Sequence, residues 1–96
     1  MDNYQARIET KLTDTFQPVR LDVIDQSDQH AGHSGAREGG QTHFMVVMHA
    51  DAFEGVNRVK RQRMVYDVLK SELEERVHAL SLTLRTPGEA EAMAAK

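Results

Sequence analysis

An α+β domain with a three-stranded mixed sheet, in the order α-β-β-α-α-β-α, is the fold that three features of this 96-residue chain predict. Ile8, Leu12 and Phe16 recur every four residues, which puts them on one face of a helix. Three segments, at residues 19–24, 42–49 and 77–83, alternate with the period of two that a half-buried strand shows. Helical pattern fills the long connection between the second and third of these, so their pairing is expected to be parallel.

The elements follow in order. Asp2 and Gln5 have capping-box spacing ahead of the first apolar stripe, and Pro18 stops that helix. Val19, Leu21 and Val23 then alternate with Arg20, Asp22 and Ile24 as a first strand. Residues 26–40 shift to Gly, Ser, His and charge, longer than most loops of compact domains and therefore functional or mobile. In the second strand Phe44, Val46 and Met48 share one face, and His43, Met45, Val47 and His49 share the other. Two apolar faces argue for a central position, with the first strand antiparallel beside it.

Residues 51–55 read as a short helical turn, and Asn57 as the N-cap of a long helix over 58–76 whose stripe is Val65, Val68, Leu69 and Leu73. The third strand covers 77–83. Thr86, Pro87 and Glu89 supply a cap, a first-turn proline and a capping-box acid for a last helix that runs into the tail over 88–96. A chain this short supports one core, so residues 1–96 are expected to be a single domain.

Composition narrows the function. The longest apolar run, residues 44–48, is far below the roughly 20 residues of a membrane span. The first ten residues carry charge and no apolar core of a signal peptide, so the cytoplasm is the expected compartment. Cysteine is absent, which excludes disulfides, thiolate metal sites and cysteine nucleophiles, and leaves His, Asp and Glu as metal ligands. Fifteen acids against twelve bases give a net charge of −3, so only a local basic patch could favour nucleic acid.

Parallel second and third strands begin at the same edge of the sheet. The long loop enters the second strand there and His78 opens the third, so His30, His33, His43 and His78 are expected at one edge and His49 at the other.

Several stretches, in this order and spacing, resemble the BolA-like family over nearly the whole chain. They are Phe16-Gln17-Pro18, the strand exit at residues 25–27, His30-Ala31-Gly32-His33, Thr42-His43-Phe44, Phe53-Glu54-Gly55, residues 61–66, and Val77-His78-Ala79-Leu80 followed by Thr86-Pro87. The resemblance implies a fold related to the type II KH domain and partnership with monothiol glutaredoxins. It further implies a two-iron two-sulfur cluster shared with the glutaredoxin and its glutathione, and none in the isolated chain. The histidines it assigns to that cluster are His78 and either His30 or His33. Counting forward from Ser27 selects His30, and counting back from the second strand selects His33. A chain without thiols can offer only imidazoles to such a cluster, so its partner must bring the sulfur ligands. Iron homeostasis, stress response and transcription control are the processes the resemblance suggests. One departure is Arg61-Gln62-Arg63 where relatives often carry Arg-His-Arg, so no role for a helix histidine transfers.

Arg58, Lys60, Arg61 and Arg63 crowd the start of the long helix while Glu72, Glu74 and Glu75 crowd its end. This order opposes the helix macrodipole, which favours the reverse by about 0.3–1 kcal/mol per charge. The four bases form a candidate surface for an acidic partner or for DNA, with Arg63–Asp67 and Lys70–Glu74 as candidate offsetting pairs. A DNA-binding regulator using that patch is the alternative function. DNA and a weakly associated second copy are thus further candidate partners, and a membrane is not. Gly32-His33-Ser34-Gly35 has the G-x-x-G form of a KH clamp but lies between strands, so no working clamp is assigned. No nucleophile elbow, phosphate-binding glycine run or metal-hydrolase pattern is present, and no catalytic residue is assigned.

Overall fold

The computed structural model describes residues 3–26 and 42–94. Helix α1 (Tyr4–Phe16) leads into β1 (Arg20–Asp25), and β2 (His43–His49) follows. A 3-10 turn at Asp51–Phe53 precedes α2 (Arg58–Val68) and α3 (Lys70–Glu75), then β3 (Ala79–Arg85) and α4 (Pro87–Ala94). The sheet order is β1-β2-β3, with β1 antiparallel and β3 parallel to the central β2. This is the α+β mixed-sheet fold that the pattern predicts.

Pleating explains which side chains meet. Leu21 pairs with Met48 and Leu84 lies in register with it, while Val23, Val46 and Leu82 form the next row. These rows face the helices, where Ile8 and Leu12 of α1 and Val65 of α2 are fully buried. Full burial of each such side chain contributes about 1.5–3 kcal/mol. Phe16 meets Phe53 with ring centroids 5.3 Å apart, which fastens the end of α1 to the 3-10 turn.

Several boundaries differ from expectation. Asn3 caps α1, its Oδ1 accepting the Ala6 N–H at 3.0 Å, while Gln5 instead donates from Nε2 to the Val23 carbonyl on β1. Gln17 closes the helix in the left-handed region at φ 47°. Val19, read as a buried strand residue, is 67% exposed, although its N–H bonds the His49 carbonyl at 2.8 Å. The long helix breaks at Leu69, whose ψ of 17° departs from helical values, although its N–H still reaches the Val65 carbonyl. The third strand starts at Ala79 because the Val77 N–H is used to bond the Glu72 carbonyl at the end of α3. The Thr86–Glu89 capping box forms as read, with Glu89 N–H on Thr86 Oγ1 at 3.1 Å and Thr86 N–H on Glu89 Oε1 at 2.9 Å.

Candidate functional site at the loop edge of the sheet

The His78 backbone N–H donates to the Thr42 carbonyl at 2.8 Å, and Ala79 N–H shares that oxygen at 3.2 Å. Gln26 N–H donates to the His43 carbonyl at 2.8 Å. These bonds bring the exit of β1, the entry of β2 and the entry of β3 to one edge. Thr42 is buried, and its hydroxyl lies 3.2 Å from Nδ1 of the half-buried His43. Val77 is buried, and the side chain of His78, just before β3 begins, is exposed. His30 and His33 lie outside the described residues. His49 pairs with Arg20 and Arg85 at the opposite end of β2, as the parallel-strand argument requires.

Among the described residues no group of three or more His, Cys, Asp or Glu side chains could hold a metal ion. A metal centre at this edge therefore needs ligands from outside them. An exposed imidazole beside the segment that precedes β2 is suited to be one ligand of a shared centre.

At the start of α2, the side chain of Asn57 caps the Lys60 N–H at 2.9 Å. Arg58, Lys60 and Arg63 are exposed. Arg61, expected in the same basic surface, is instead buried, with only 7% of it accessible. Its guanidinium donates to the carbonyls of Val56, Leu84 and Phe53 and to both carboxylate oxygens of Glu89. It ties the 3-10 turn, the end of β3 and the start of α4 together. The offsetting pairs considered for Arg63 with Asp67 and Lys70 with Glu74 do not form among the described residues.

Glu72, counted on sequence among the acids at the helix end, is fully buried and bonds Arg7 and Lys11 of α1 at 2.7 and 2.9 Å. Arg7 also reaches Glu75, holding that carboxyl below its usual range, and these acids in turn raise the Arg7 guanidinium. A signal for both burials was present. Arg61 stands one turn before Val65 and Leu69, and Glu72 three residues beyond, so both lie on the apolar stripe.

This arrangement defines a small α+β domain with a mixed sheet, whose exposed histidine sits beside the entry of its central strand. The family model for BolA-like proteins matches residues 12–89, and the chain belongs to that family. It is 44% identical over 91 residues to Protein BOLA1, chloroplastic, of Arabidopsis thaliana, covering 93% of this chain and 57% of that protein. The chain thus spans little more than half the length of that plant relative. It is 44% identical over 78 residues to the DNA-binding transcriptional regulator BolA of Escherichia coli, covering 81% of this chain and 70% of that protein. Among solved structures, BolA1 from Arabidopsis thaliana matches at 43% identity with a TM-score of 0.82, over 93% of this chain and 97% of that one. Among the described residues no helix is long and apolar enough to cross a membrane.

Proposed function

We propose that this single-domain chain is a non-enzymatic, cytoplasmic partner of a monothiol glutaredoxin and acts in iron–sulfur and iron homeostasis. His78 and one loop histidine, His30 or His33, would complete the ligand set of a two-iron two-sulfur cluster that the glutaredoxin holds through its thiolate and glutathione. The observation that carries this reading is the Thr42–His78 hydrogen bond, which holds an exposed imidazole beside the strand entry fed by the histidine-bearing segment. The donor chemistry fits, since a chain without cysteine can offer imidazole nitrogen but no thiolate, and must receive cysteine sulfur from its partner. The cluster would supply iron sites that accept neutral imidazole; this chain's residues hold that imidazole beside the entry of β2. Adding the chain to a cluster-loaded monothiol glutaredoxin tests the proposal. Exchange of a sulfur ligand for nitrogen should change the visible absorption and circular dichroism. An unchanged spectrum at saturating chain would refute it.

A second reading, a DNA-binding regulator, is favoured by Arg58, Lys60 and Arg63, which are exposed and lack acidic partners among the described residues. The name of the Escherichia coli relative points the same way.

A further inference from the structure

The sheet end opposite His78 carries a second constellation. Strand register sets Arg20, His49 and Arg85 side by side, one from each strand. They lie on the face opposite the core row of Leu21, Met48 and Leu84, which precedes them by one residue in β2 and β3. Neighbouring strands are about 4.8 Å apart, so the two arginine backbones flank the histidine across roughly 10 Å.

The imidazole Nε2 of His49 is sealed from solvent and has no hydrogen-bond partner among the described residues. A buried polar nitrogen left without a partner is costly, and in a native structure it calls for an explanation. Arg85 makes no ion pair or hydrogen bond through its guanidinium among the described residues. Arg20 is occupied on one side only, its Nε and Nη2 converging on Oδ2 of Asp22 at 2.8 and 2.7 Å. The site therefore sets two guanidinium cations against one carboxylate, with an imidazole between them. Burial first, then the charges of Arg20 and Arg85, lower the affinity of His49 for a proton, while Asp22 acts in the opposite sense.

We propose that Arg20, His49 and Arg85 form a binding site for a tetrahedral phosphate group, as inorganic phosphate or a small phosphomonoester. Planar guanidinium forks suit phosphate oxygens in bidentate fashion. Guanidinium forks on the two edge strands, with an imidazole on the central strand between them, would supply donors to more oxygens than a carboxylate possesses. A bound dianion would also relieve the repulsion between the arginines, and would give Nε2 a partner once the side chains that cover it move aside. Because the anion favours the imidazolium, binding and protonation of His49 are linked and each strengthens the other.

The full chain, titrated with inorganic phosphate at constant ionic strength and observed by NMR, tests this. Saturable shifts should appear at the His49 imidazole and the Arg85 guanidinium, and not at His43 or His78. Phosphate should move the titration of His49 to higher pH. Arg85→Gln and Arg20→Gln should each weaken binding about tenfold or more, and Arg85→Lys should restore it only in part; retained backbone spectra confirm that the variants fold. Replacing phosphate by phosphoserine or a nucleoside 5′-monophosphate separates the sources: tighter binding assigns an ester, equal or weaker binding assigns the free ion. Shifts that follow ionic strength alone, or that acetate reproduces at the same concentration, would overturn the proposal.

Discussion

Arg61 of α2 donates from Nη1 to Oε1 of Glu89 at 2.7 Å, and the same carboxylate oxygen accepts the Thr86 N–H that closes the capping box of α4. One acid thus serves both as the cap of a helix and as the partner of a buried cation. No residue of α4 is itself buried, so these bonds do much to hold the helix on the domain. Arg61→Ala should destabilise the fold by about 3 kcal/mol, since it strips three carbonyls and a carboxylate of their donor. The midpoint of urea unfolding measures it; a loss below about 0.5 kcal/mol would indicate an ordinary surface base.

Acid should loosen α4 before the core. Arg61's hydrogen bonds, and then the Thr86 N–H, hold the Glu89 carboxyl at about 2, against an ordinary value of 4.5. The folded state therefore binds fewer protons than the unfolded one. The stabilisation is complete above 4.5 and fades as pH falls towards 2. Carboxyl carbon shifts of Glu89 and amide exchange along α4 should show this, and Glu89→Gln should remove the dependence.

The cluster joining α1 to α3 should respond asymmetrically. Removing both cations in Arg7→Ala/Lys11→Ala leaves Glu72 charged and fully buried, a change expected to cost about 3–5 kcal/mol. Glu72→Gln leaves cations that remain partly solvated and keeps the side chain's shape, so its cost should be smaller, about 1–2 kcal/mol. Equal losses in urea unfolding would contradict this ordering.

Among the histidines, His78→Ala should abolish the nitrogen-ligated spectrum formed with a cluster-loaded glutaredoxin, and His49→Ala should leave it intact. His30→Ala and His33→Ala decide the loop ligand, with His30 favoured by its spacing from Ser27. A spectrum that survives His78→Ala, or disappears with His49→Ala, would place the ligands elsewhere.

DNA binding, where it occurs, should run through Arg58, Lys60 and Arg63. Its affinity should fall with salt at a log–log slope of about −0.9 for each phosphate neutralised. Arg58→Glu/Arg63→Glu should abolish it without unfolding the chain, because both side chains are exposed. Arg61 is unsuitable for this test, since its replacement damages the fold. Nanomolar, sequence-selective binding at physiological salt would make the regulator the principal function.

Local spacing in the sequence was enough to determine the element order, the central parallel strand, the caps at Asn57 and Thr86, and the opposite placement of His78 and His49. Each follows from periodicity, hydrogen-bonding chemistry or the direction of a crossover, all written within a few neighbouring residues. The inward turn of Arg61 was hinted at by its stripe with Val65 and Leu69, but its partners are the carbonyls of Phe53, Val56 and Leu84 and the carboxylate of Glu89, which only folding assembles. The same holds for Glu72 with Arg7 and Lys11, and for the row of Arg20, His49 and Arg85, whose members lie in three separate strands. A charge has no fixed meaning in a sequence, because its energy depends on what surrounds it and how much water it keeps. Only tertiary structure sets those two quantities, and so it alone decided which bases are surface and which hold the fold together.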